Sequence, residues 1–81
     1  EEDMSYLGWF DDNPKKSAAT KIAEAADAYF DRYGITPNVV LVNAADATTE
    51  SGGITVHVQG YIRRNNFWVG WVRNPQSVEG E

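Results

Sequence analysis

Between Ala19 and Tyr33 the apolar positions recur three and four apart. Ala19, Ile22, Ala23, Ala26, Tyr29, Phe30 and Tyr33 fall on one side of a helical wheel, with Thr20, Glu24, Asp27 and Asp31 on the other. This pattern predicts an amphipathic helix over about residues 14–33. Asn13-Pro14 reads as an N-cap followed by a proline at the first helical position, where a missing N–H costs nothing. Gly34 and Pro37 read as the stop, with Ile35 closing the turn hydrophobically.

After the helix the period changes. Residues 38–43, "NVVLVN", form an unbroken aliphatic run, the signature of a strand covered on both faces, and this predicts a central strand over Val39 to Val42. Residues 44–53, "AADATTESGG", are small, polar and glycine-terminated, as in a flexible connection. In residues 54–62 the polarity alternates: Ile54, Val56, Val58 and Ile62 share one face, and Thr55, His57, Gln59 and Tyr61 the other. A last strand is predicted over 66–73, stopped by Asn74-Pro75, with a disordered tail from Gln76.

Between the last two strands stands "GYIRRNNFWVG", residues 60–70. Asparagine tolerates the left-handed backbone of tight turns, so Arg64-Asn65 or Asn65-Asn66 is predicted to close a hairpin. Near the start of the chain, Tyr6, Leu7, Trp9 and Phe10 surround Gly8 as a short edge strand. The expected order is β-α-β-β-β with a right-handed first crossover. The fold class expected is α+β: one amphipathic helix on a three- or four-stranded, mainly antiparallel sheet. The expected core is Ile22, Ala26, Tyr29, Phe30, Val40, Val42, Val56, Val58, Val69 and Trp71.

Eighty-one residues suffice for a single domain with one small core, its ordered part expected over about 5–74. With no cysteine there is no disulfide and no thiolate metal site, which suits a reducing compartment. No apolar run is long enough to span a bilayer, so no membrane partner is expected. Glu1 to Asp3 lack the features of a signal peptide, which leads to the expectation of a cytoplasmic protein; either Met4 is the natural start or the chain is cut from something longer.

Net charge is −5 but unevenly placed. Residues 1–50 carry ten acids against Lys15, Lys16, Lys21 and Arg32, whereas 51–78 carry Arg63, Arg64 and Arg73 and no acid. The acidic body disfavours nucleic acid, while the local basic segment can attract it. The hairpin's second face is predicted to combine Tyr61, Arg63, Trp68 and His57, with Arg64 at its edge. A purely solvated face would carry Thr, Lys and Glu instead. In one register Tyr61 covers the bare backbone of Gly70, a packing role; exposed aromatics rimmed by polar groups are otherwise a mark of interfaces.

Catalytic chemistry finds little support. His57 is the only histidine, so no histidine cluster can hold zinc, and Ser5, Ser17, Ser51 and Ser77 lie in no nucleophile-elbow setting. A calcium loop beginning at Asp46 would place Ser51 at its sixth position and His57 at its twelfth, where glycine and a bidentate acid are required. Lys15 and Lys16 oppose the dipole of the predicted first turn, which Asp11 and Asp12 offset unless an anion is bound there.

The pattern "RYGITPNVVLVN", a glycine-rich gap, "ITVHV" and "RRNNFWVG" resembles short uncharacterised bacterial open reading frames. These pair a G-x-x-P helix exit with an N-x-FW-x-G strand, and the likeness covers about residues 29–70. The resemblance implies shape and carries no activity, cofactor or site residue. The sequence leads to the expectation of a non-enzymatic interaction module without a cofactor, using Tyr61, Arg63, Arg64, Trp68 and His57, with Trp9 and Phe10 nearby, to bind a second copy or a protein partner. The alternative is a single-stranded nucleic-acid binder stacking bases on the same residues.

Overall fold

A computed structural model describes residues 6–49 and 52–75; the tail from Gln76, the Glu1–Asp3 segment and Ser51 lie outside the described residues. Along the chain come strand β1 (Tyr6–Phe10), helix α1 (Ala18–Tyr33), strand β2 (Val39–Val42), a single 3-10 turn (Ala44–Asp46), and strands β3 (Thr55–Val58) and β4 (Asn66–Gly70). The four strands form one sheet in the order β1-β4-β2-β3, with α1 on one face. The α+β class with one helix on four strands is as expected; the sheet, however, is mixed.

The mixed character corrects the hairpin. β3 pairs parallel with β2, Val40 opposite Val56, while β4 runs antiparallel between β1 and β2. Residues 43–54 supply about the dozen residues a parallel crossover needs. β3 ends at Val58 because the chain turns at once: the Ile62 N–H donates to the Gln59 carbonyl at 3.1 Å, and Gln59 itself is buried. Residues 59–65 then pass across the end of β2 to reach β4. Asn65 does take the left-handed conformation, φ 67°, but as the last step of this passage.

The helix begins later than the asparagine-proline signal suggests. Asn13 Oδ1 accepts the Lys15 N–H at 2.9 Å, closing a turn completed by the Lys16 N–H on the Asn13 carbonyl. Ser17 is the N-cap, extended at φ −74° and ψ 162°, its Oγ accepting the Thr20 N–H at 3.1 Å. At the far end Gly34 adopts φ 77° and its N–H donates to the Phe30 carbonyl, a left-handed C-cap that a side chain would strain.

Ile22, Ala25 and Tyr29 from α1 pack on Val40, Val42, Phe67, Val69 and Ile54, with Leu7, Trp9, Ala18, Ala26 and Val56 around them. Three expected core residues lie elsewhere. Phe30 is half exposed because the buried stripe runs through Ile22, Ala25 and Tyr29, and the next residue points about 100° away. Ala23 is exposed for the same reason, while Lys21 is buried. Val58 has the expected parity but lies on edge strand β3, beyond a helix that packs on β4 and β1. Trp71 falls just past the end of β4 and is partly exposed.

The opposite face is roofed in its middle. Val39 and Leu41 of β2 pack against Ile62 and Val72, with Tyr6 beside them. Two asparagines that bracket β2 hold this roof. Asn38 Nδ2 donates to the Val72 carbonyl while its Oδ1 accepts the Val72 N–H, and Asn43 Nδ2 donates to the Ile62 carbonyl at 2.9 Å. Ile62 therefore sits on the face away from the helix, opposite to the parity expected from an unbroken strand.

Candidate functional site

Beside the roof, the second face of β1 and β4 is open. Strand alternation puts Tyr6, Gly8 and Phe10 on this face, and register places them opposite Gly70, Trp68 and Asn66. The Trp68 indole lies across Gly8: a Cβ there would come within 3.2 Å of its ring carbons. Glycine at position 8 thus makes the slot that the indole occupies. Tyr6, rather than Tyr61, is the residue opposite Gly70. Tyr61 belongs to the 59–65 passage, and its phenol lies near that of Tyr6. The Tyr6 hydroxyl has its pKa raised, first by burial and then by the nearby Tyr61 and Tyr29 phenols.

Phe10 is 63% exposed, Tyr61 62% and Trp68 40%. Together with Tyr6 they make an aromatic surface on the β1 side of the sheet. Arg63 and Arg64 are exposed at the turn into β4, where the Asn66 N–H donates to the Arg63 carbonyl and Asn66 Nδ2 to that of Arg64. This turn is tied to the Phe10 end of β1 by the Asp11 N–H on the Asn65 carbonyl at 3.0 Å, and to the 3-10 turn by Asp46 Oδ2, which accepts the Asn65 N–H at 2.7 Å. Asp46, considered above as a calcium ligand, is buried and serves as a backbone anchor.

His57 shares this face but not this surface. It and Trp68 flank Leu41 on opposite sides, which sets their backbones roughly 10 Å apart, with the Ile62–Val72 roof on the intervening β2. Its Nε2 meets the Pro75 carbonyl; a carbonyl only accepts, so Nε2 carries the proton. Trp9 points the other way, into the helix–sheet core, with its indole N–H buried and unpartnered among the described residues.

Lys15 is exposed, and Lys16 is engaged. The Lys16 ammonium contacts Glu24 Oε1 and Oε2 at 2.9 and 3.1 Å and Asp11 Oδ2 at 3.5 Å. The Glu24 carboxylate above all, then Asp11, raises its pKa. Asp11 is lowered, first by the Asn13 N–H on its Oδ1 at 2.9 Å and then by Lys16. Among the described residues no group of three His, Asp or Glu side chains could hold a metal ion, and no helix is long and apolar enough to cross a membrane.

The structure therefore brings together Tyr61, Trp68 and Phe10, with Arg63 and Arg64 at one end, and sets His57, Lys15 and Lys16 apart. Tyr6 was not singled out from the sequence, although Tyr6, Gly8 and Phe10 alternate with Leu7 and Trp9, and that alternation carried the signal. Comparison with protein-family models, curated proteins and solved structures finds no match.

Proposed function

We propose that this domain is a non-enzymatic interaction module of the cytoplasm and that its contact surface is the aromatic face formed by Tyr6, Phe10, Tyr61 and Trp68, edged by Arg63 and Arg64. The supporting observation is the exposure of three large aromatic side chains on one side of one sheet. Isolated exposed apolar residues are ordinary, but clustered aromatics with arginine at their border are what protein interfaces use as anchors. Trp68 held over Gly8 is a pre-ordered ring, so little side-chain freedom would be lost on contact. The absence of cysteine from the sequence fits a reducing compartment.

Light scattering and pull-down with the wild type and Trp68→Ser test this reading. The expected result is association of the wild type, with itself or with a protein, that the variant loses while its far-UV circular dichroism is unchanged. Association untouched by both Trp68→Ser and Tyr61→Ser overturns it. So does salt-sensitive binding of a single-stranded oligonucleotide through the same rings, the signature of phosphate contacts at Arg63 and Arg64.

A further inference from the structure

The outer edge of β1 is the part of this surface whose chemistry names an occupant. In an antiparallel ladder, successive residues direct their N–H and C=O groups alternately to one side and the other. The Asp11 N–H donates to the Asn65 carbonyl of the β4 segment, so Trp9 and Leu7 also face β4. Tyr6, Gly8 and Phe10 consequently direct their backbone groups outward, away from the sheet. Edge strands are ordinarily protected by a charge, a proline or a bulge. The sequence Tyr-Leu-Gly-Trp-Phe has no charge and no proline, and its pairing with β4 is unbroken from Tyr6 to Phe10.

We propose that β1 pairs antiparallel with β1 of a second copy of this chain, about a two-fold axis at Gly8, giving a continuous eight-stranded sheet. The proposal rests on the interaction-module reading above and specifies its partner. The strand is symmetric in type about Gly8, with aromatic residues at both ends and large apolar ones just inside. With Gly8 against the partner's Gly8, Tyr6 meets the partner's Phe10 and Leu7 meets the partner's Trp9. Each match keeps its face, because residues 6 and 10 share one side of the strand and residues 7 and 9 the other. The outward groups of Tyr6, Gly8 and Phe10 are the ones this register pairs, so each finds a reciprocal hydrogen-bonded residue.

The side chains and charges agree with this pairing. Each Trp68 ring reaches over its own Gly8, so two rings approach the axis from opposite sides above a pair of glycines that leave them room. A single aromatic surface then spans both copies. The basic turn Arg63–Arg64 lies at the Phe10 end of β1, and the antiparallel arrangement carries the two such turns to opposite ends of the joined strands. Like charges are kept about a strand length apart, ~17 Å for five residues. The other edge strand, β3, is shorter, at four residues against five. A five-residue edge is a small contact at the low end of specific interfaces, so the dimer it forms is a reversible one.

Sedimentation equilibrium on the full chain from about 1 μM, with amide hydrogen–deuterium exchange by NMR up to about 1 mM, tests the proposal over a range that brackets a reversible association. The expected result is a doubling of mass with concentration and at least about tenfold slower exchange of the Tyr6, Gly8 and Phe10 amides, those of Leu7 and Trp9 changing less. Phe10→Pro removes one outward N–H and should abolish both effects, whereas Phe10→Ser keeps the N–H and should retain part of them. A chain that stays monomeric throughout overturns the pairing and leaves the aromatic-face reading to its pull-down test. A dimer that Tyr61→Ser dissolves, with outward amides exchanging at the monomer rate, also overturns edge pairing while supporting a face-to-face contact through the aromatic surface.

Discussion

Asn38 treats Val72 as a neighbouring strand would. Its Nδ2 donates to the Val72 carbonyl at 2.8 Å and its Oδ1 accepts the Val72 N–H at 3.0 Å, so one side-chain amide satisfies both backbone groups of a residue that is 5% exposed. Removing this amide leaves a buried N–H and C=O without partners. Asn38→Ala should therefore cost about 2 kcal/mol, more than the same change at an exposed asparagine, by urea denaturation with an unchanged m-value. A cost below about 0.5 kcal/mol would mean that water replaces the pair.

Gly8 and Trp68 should be coupled. A Cβ at position 8 meets three ring carbons of Trp68 at 3.2 to 3.3 Å, and the half-exposed indole relieves this by lifting away. Gly8→Ala should cost up to about 1 kcal/mol in the wild type and nothing in a Trp68→Ser background, where the better strand propensity of alanine stands alone. Additive effects in this double-mutant cycle would show that the ring does not occupy the slot.

Phe67 and Phe30 should separate the true core from the one the periodicity suggested. Phe67 is fully buried between α1 and the sheet, whereas Phe30 is 52% exposed. Phe67→Ala should cost about 3–5 kcal/mol, enough to unfold much of a domain this small, and Phe30→Ser should stay within about 1 kcal/mol. Thermal unfolding followed by circular dichroism ranks the two directly.

Asp11 should contribute to acid sensitivity. Its pKa in the fold lies below the ordinary 3.8, chiefly because the Asn13 N–H bonds the carboxylate and secondarily because Lys16 is near. A lowered folded pKa means that the unfolded chain binds the proton first. The stabilisation is thus complete at pH well above 3.8 and is lost as pH falls through the folded value. Asp11→Asn should lower stability at neutral pH and flatten the decline below about pH 4 in denaturation measured from pH 7 to 2.

Much of this fold was legible along the chain. Gly34 followed by Pro37 marked the helix end, four apolar residues in a row marked β2 as covered on both faces, and Asn65 marked a left-handed turn residue. The alternation in Thr55–Val58 and Asn66–Gly70 assigned the helix side correctly to Val56, Phe67 and Val69. The aromatic surface was half legible. Trp68 and Tyr61 stood out as residues that a solvated face would not carry, whereas Tyr6 emerged only once β1 was placed beside β4. His57 shared their face but was divided from them by Leu41 and its roof.

What the sequence by itself determined was local: the helix and its glycine cap, the strand segments, and the alternation that divides each strand into two faces. These follow from backbone dihedral preferences and side-chain spacing, which act over a few residues. Strand order, the parallel pairing of β2 with β3, the exact stripe of α1 that is buried and the roof held by Asn38 and Asn43 were decided by the tertiary structure. Every strand offers the same N–H and C=O groups, so pairing is chosen by which arrangement buries both faces of β2 at once. That choice depends on Ile62 and Val72 meeting Val39 and Leu41 across the sheet, contacts between residues far apart in the chain.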